Sequence, residues 1–228
     1  MKYDYVLFDA DDTLFDFQRC ALKCFTETCI CFGVPKEKID YPAYSVINQN
    51  LWDLYSVGRI EKSVILVKRF ADYFDKFGLA LNPEKFFAVY EEKLSHTAIA
   101  FPDSEQTLIK IREMGIKLYL ITNGVKKVQR GRLKISGFDK YFDGIFISDE
   151  VGYAKPSKEY YECVKSSIEN FNPDKALICG DSLVSDIPLG LNNGIDTCRF
   201  NPERLGNPNN IFYNYEISNI SEILDILK

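Results

Sequence analysis

The segment Tyr3-Asp4-Tyr5-Val6-Leu7-Phe8 runs directly into Asp9-Ala10-Asp11-Asp12-Thr13-Leu14, so an apolar, aromatic run ends in three carboxylates within four residues. Short apolar runs of this kind mark strands covered on both faces, as in the middle of a parallel sheet. In such sheets the ligand crevice opens at the carboxyl ends of the strands, and Asp9 and Asp11 stand at that end. Two carboxylates about 4 Å apart repel by ~4 kcal/mol at an effective dielectric of about 20. The pair therefore calls for a proton or a cation, and a hard divalent ion such as magnesium suits oxygen donors best.

Beyond Leu14 the pattern turns helical for residues 17 to 97, with room for about four helices and no convincing strand. Gly33-Val34-Pro35, Gly58-Arg59 and Leu81-Asn82-Pro83-Glu84 punctuate this stretch, and Asn82 reads as an N-cap with Pro83 at the first helical position. From Phe101 an α/β rhythm resumes. A helix runs to Met114-Gly115, a strand covers 117–121, and a helix ends near Ser136-Gly137. Strands follow at 144–147, 176–179 and 196–200, with a helix from Pro156 to about Asn170 and a closing helix near 219–227. Asn201 to Asn214 reads as an exposed loop. This order predicts an α/β fold: a doubly wound, Rossmann-like parallel sheet core formed by residues 1–15 and 99–228, with an inserted α-helical unit at 16–98.

Composition removes several functional classes. The 228 residues are 46% hydrophobic, enough for a substantial core, and carry a net charge of −5. No run of Lys or Arg exceeds two residues, which argues against a nucleic acid polymer as partner. Apolar runs such as Leu118-Tyr119-Leu120-Ile121 fall far short of the roughly 20 residues of a membrane helix, and Asp4 interrupts a signal-like start, so a soluble cytoplasmic protein is expected. Cys20, Cys24, Cys29 and Cys31 lack paired metal-ligand spacing and are read as packing residues. The single histidine, His96, lies in the last inserted helix and is read as a surface or interhelical residue. Any histidine-dependent hydrolytic mechanism would have to use it.

Three later segments end in polar residues at strand termini: Ile121-Thr122-Asn123-Gly124, Ala154-Lys155-Pro156, and Ile178-Cys179-Gly180-Asp181-Ser182 followed by Asp186. A parallel sheet can bring all of them to one edge beside Asp9 and Asp11. Pro156 disfavours helical geometry at Lys155 and suits a first helical turn, so Lys155 is placed just before a helix, with its ammonium able to reach inward. Taken alone, Asp186 could equally be the N-cap of the helix running towards Gly190.

In this order, and across nearly the whole chain, the four segments resemble the haloacid dehalogenase superfamily of phosphohydrolases. The resemblance implies that Asp9 is the nucleophile, forming an aspartyl-phosphate, and Asp11 the general acid and base. It implies that Thr122 and Asn123 grip the phosphoryl oxygens while Lys155 neutralises their charge. Magnesium would be held by Asp9, the Asp11 backbone carbonyl and Asp181, with Asp186 behind them orienting metal waters or Lys155. The inserted helices would be a C1 cap that closes over the site. Within them, Asn48-Gln49-Asn50-Leu51-Trp52-Asp53-Leu54-Tyr55, together with Gln129, Arg132-Leu133 and the run from Ile147 to Pro156, is similar to bacterial pyrimidine 5′-nucleotidases of that superfamily. That branch dephosphorylates UMP, dUMP and dTMP, so a nucleoside monophosphate is the expected small partner. Trp52 and Tyr55 could stack on a base, or simply pack the core of the insert. A sugar-phosphate or phosphoglycolate-type phosphatase is the alternative enzyme. The non-enzyme alternatives are a receiver-like module, disfavoured because Gly180-Asp181 and Asp186 follow the Lys-Pro pair, and a silent phosphate binder, disfavoured because every expected catalytic position is filled.

Overall fold

The computed structural model describes residues 2–228, and the chain divides into two compact units. The chain up to Phe17, together with Ala98–Lys228, forms an α/β unit, and Gln18–Thr97 forms a helical one. The α/β unit is built on β1 (Tyr5–Phe8), and the helical unit follows as α1 (Phe17–Cys31), α2 (Tyr41–Ser56), α3 (Lys62–Phe77) and α4 (Pro83–Ser95). The α/β unit then continues with α5 (Ser104–Glu113), β2 (Lys117–Thr122), α6 (Lys126–Ser136), β3 (Gly144–Ile147), α7 (Ser148–Val151) and α8 (Lys158–Ser167). It ends with β4 (Ala176–Gly180), α9 (Asp186–Leu191), β5 (Asp196–Phe200), β6 (Tyr215–Ile217) and α10 (Ile223–Ile226).

All six strands are parallel, in the order β3-β2-β1-β4-β5-β6. β1 is central because all four of its residues are apolar and buried on both sides. Alternate residues point to opposite faces: Val6 and Phe8 join a core with Leu108, Leu120, Leu133 and Leu177, while Tyr5 and Leu7 join another with Ile121, Tyr160 and Ile178. Two cores from one strand make the sheet doubly wound. The chain moves outward from β1 through β2 to β3 and then returns to pair β4 on the other flank of β1. That reversal, between β1 and β4, is the place where such sheets open a crevice.

The helical unit is held by packed aromatics, among them Phe25 stacked on Tyr44 with ring centroids 4.4 Å apart and Phe70 tilted against Phe86 at 4.9 Å. Asn82 caps α4, its side chain accepting from the Lys85 N–H at 2.7 Å, with Pro83 opening the helix as expected. His96 sits on the surface at the end of α4.

Some boundaries differ from expectation. Helix α8 starts at Lys158, two residues after Pro156, because the Ser157 hydroxyl accepts from the Tyr160 N–H and caps it there. The closing helix is a 3-10 turn followed by the four-residue α10. The Asn-rich stretch at 201–214 leads into an edge strand, β6, that is only three residues long. Its turns are tied by asparagine side chains: Asn201 exchanges hydrogen bonds with both backbone groups of Leu205, and Asn207 with those of Ile211. No helix among the described residues is long and apolar enough to cross a membrane.

Candidate active site

The register of the sheet builds the site. Phe8 lies opposite Leu120 on β2 and Cys179 on β4, so the next residue of each strand, Asp9, Ile121 and Gly180, shares one edge. The Asp9 N–H donates to the Cys179 carbonyl at 2.9 Å, which carries the ladder one step past β1 and fixes the Asp9 backbone. Asp181 follows β4 immediately, and Asp186 opens α9.

Lys155 is almost completely buried, and its ammonium donates to Asp9 Oδ1 at 2.5 Å, to Asp186 Oδ1 at 2.6 Å and to the Ile121 carbonyl at 3.0 Å. All three donor positions of the ammonium are thus engaged. The second oxygen of Asp186 accepts from the Ser182 N–H at 3.1 Å. The capping alternative for Asp186 is therefore not realised: Ser185 precedes α9, and the Asp186 carboxylate is turned onto Lys155 and Ser182. Asn123 locks the Lys155 backbone reciprocally, its side-chain amide donating to the Lys155 carbonyl at 2.9 Å and its carbonyl accepting from the Lys155 N–H at 2.8 Å. Thr122 is buried, and its hydroxyl accepts from the Gly124 N–H at 3.0 Å.

Carboxylate oxygens of Asp9, Asp181 and Asp186 lie within 4.8 Å of one another. One ammonium against three carboxylates leaves an excess of negative charge in a buried place. Burial pushes the Asp9 carboxyl up to about 8, with repulsion from Asp186 and Asp11 adding to it against the pull of Lys155. Burial likewise drives Asp181 well above the usual carboxylate range, reinforced by Asp186, Asp9 and Asp12. For Lys155 burial works against the charge, but Asp186 and Asp9 more than reverse it and hold the ammonium above its ordinary value. A set of three hard oxygen donors with surplus charge fits a divalent cation of the magnesium type. A proton or a cation would relieve the repulsion at Asp181.

The Asp11 side chain has other partners. Its Oδ2 accepts from Gln129 Nε2 at 2.6 Å, and its Oδ1 is ion-paired with Arg132 Nη1. The side-chain carboxylates that meet are thus Asp9, Asp181 and Asp186, and an Asp11 contribution to a metal would come from its backbone. Gln129 and Arg132 are contacts of Asp11 that strand-end reasoning does not reach. The available signal is that they are three apart on the helix that follows Thr122-Asn123-Gly124, and so share a face.

Trp52 and Tyr55 sit in the helical unit, on α2, partly exposed, with ring centroids 5.6 Å apart and edge to face. The Trp52 indole N–H donates to Asn48 Oδ1 at 3.2 Å, and Arg69 donates to the same oxygen at 3.0 Å. The two rings are thus not absorbed into the aromatic core of that unit.

Comparison with known proteins agrees with this geometry. Residues 6–200 match the family described as haloacid dehalogenase-like hydrolase. The chain is 32% identical to the pyrimidine 5′-nucleotidase PynA of Streptococcus pneumoniae, covering 100% of this chain and 96% of that protein. It is 30% identical to the pyrimidine 5′-nucleotidase YjjG of Escherichia coli, covering 100% and 99%. The crystal structure of the HAD-hydrolase YfnB of Bacillus subtilis bound to magnesium superposes with a TM-score of 0.93 at 30% identity over 100% of both chains.

Proposed function

Because the chain belongs to the haloacid dehalogenase-like hydrolases, we propose that it is a magnesium-dependent phosphatase acting on nucleoside 5′-monophosphates, with pyrimidine nucleotides as its substrates, through an aspartyl-phosphate on Asp9. The observation that carries the reaction is the gathering of Asp9, Asp181 and Asp186 around the buried Lys155 at the switch point of the sheet. The full-length similarity to two pyrimidine 5′-nucleotidases supports the substrate class.

In this reading Asp9, held at Oδ1 by Lys155, presents its other oxygen to phosphorus, so that a carboxylate splits one hydrolysis into two easier transfers. Asp11 protonates the leaving oxygen in the first step and takes the proton from the attacking water in the second. Thr122 and the backbone N–H of Asn123 hold the phosphoryl oxygens, since the Asn123 side chain is already spent on Lys155. Lys155 serves as a fixed positive charge against the charge that develops on those oxygens, a form of preorganised stabilisation that needs no rearrangement during reaction. Asp9, Asp181 and the Asp11 backbone carbonyl would hold the cation, with Asp186 orienting Lys155. When bound, the ion offsets the repulsion between nucleophile and phosphate and draws charge from the transferring group.

The test is kcat/KM with magnesium for dUMP, dTMP, UMP, AMP, phosphoglycolate and several hexose phosphates. Preference for the pyrimidine monophosphates is expected. Preference for a sugar or acid phosphate would retain the chemistry and overturn the substrate class.

A further inference from the structure

Arg132 is wholly buried, with its guanidinium 4.5 Å from the centre of the Phe15 ring and 5.7 Å from that of Phe17. Its charge meets Asp11 Oδ1, while the buried Gln129 amide donates to Asp11 Oδ2 at 2.6 Å. Both oxygens of the proposed acid and base are therefore held by one face of α6, and the Asp11 side chain remains about a quarter exposed on its remaining side. The clamp is itself fixed. Stacking on two rings restricts the guanidinium plane, and Gln129 lies so close to residue 124 that a Cβ there would strike its amide, which is why glycine follows Thr122-Asn123. A surface carboxylate would need none of this, and burying an arginine only to neutralise it with a solvent-touched aspartate is costly.

We infer that Arg132 and Gln129 are positioning residues that aim the Asp11 carboxyl for proton transfer, so that together they set the rate for substrates whose leaving oxygen must be protonated. The inference rests on the acid and base role proposed for Asp11. As the bond from phosphorus to the leaving oxygen breaks, the electron pair stays on that oxygen, which takes the proton from Asp11. The Asp11 carboxylate recovers a proton from the water that then attacks the phosphoryl group on Asp9, so one water is consumed per ester cleaved.

The experiment compares the single-turnover rate of leaving-group release, with enzyme in excess, for dUMP, an alkyl ester with a poor leaving group, and for p-nitrophenyl phosphate, whose phenolate departs without a proton. This step precedes hydrolysis of the aspartyl-phosphate, in which Asp11 serves both substrates alike. The chain, Asp11→Asn, Gln129→Leu and Arg132→Lys are measured with excess magnesium. Asp11→Asn is expected to slow release from dUMP by ~10²–10⁴-fold and to affect release from the aryl ester far less. Gln129→Leu and Arg132→Lys should slow release from dUMP by about 10–100-fold through misplacement, with the aryl ester largely spared. In the Asp11→Asn background Gln129→Leu should leave the ratio of the two substrates unchanged. Equal losses of the release rate on both substrates in Gln129→Leu, which buries no unpaired charge, would make the clamp merely structural and overturn the inference, as would an unchanged release rate for dUMP. An Asp11→Asn enzyme whose release step slows alike for both substrates would instead overturn the acid role of Asp11.

Discussion

A methyl group at position 180 would run into the carboxylate of Asp186, the same group that holds Lys155 at 2.6 Å. Gly180→Ala is therefore expected to push Asp186 off Lys155. Overpacking of this kind costs about 1–3 kcal/mol of stability, and a displaced charge at the site should lower kcat/KM by about 10–100-fold. Denaturant titration and steady-state kinetics on the same preparation check both, and unchanged kinetics would show that Asp186 does not govern the lysine. At this scale much of the site was legible. Asp9, Lys155, Asp181 and Asp186 follow from acids and a lysine at strand ends, and the structure brings them together. What could not be read was how each side chain is spent: Asn123 binds the Lys155 backbone, and Asp11 turns to Gln129 and Arg132, more than a hundred residues away in sequence. Such pairings depend on which helix crosses which strand end, and local pattern does not encode that.

Elements were legible where the flanking turns and caps are strong. β3 and β5 have the expected bounds, and α4 begins where Asn82 and Pro83 place it. They were less legible where a short element owes its existence to a neighbour. β6 is three residues at the sheet edge, paired only with β5, and an Asn-rich loop gives no strand signal before it. The start of α8 was displaced by a local competition: Pro156 suits a first turn, but the Ser157 hydroxyl supplies the cap, and the cap wins. Register then does the work that connects elements to chemistry. Because Phe8, Leu120 and Cys179 are in line, the polar residues just beyond them converge without any one strand being unusual. A one-residue slip of β4 would exchange its two faces and carry Asp181 away from Asp9.

For the whole molecule the governing quantity is charge balance at one end of the sheet. Three buried or partly buried carboxylates face one ammonium, so the account makes the site dependent on a divalent cation. Chelation should stop turnover, and magnesium should raise the melting temperature of the parent chain by linkage to the folded state, an effect that Asp181→Asn should diminish. Full activity in metal-free buffer would contradict the cation's role. The central claim, that Asp9 carries the phosphoryl group, has a direct test. The enzyme turning over dUMP labelled with ³²P in its phosphate, with magnesium, is quenched in acid and tested for release of the label by hydroxylamine, and a parallel quench is reduced with tritiated borohydride, which converts an aspartyl-phosphate to tritiated homoserine, and digested to map the tritium. The account predicts a hydroxylamine-labile label on Asp9, its loss in Asp9→Asn, and loss of turnover in that variant. A label on another residue, or an Asp9→Asn enzyme within tenfold of the parent, would contradict it.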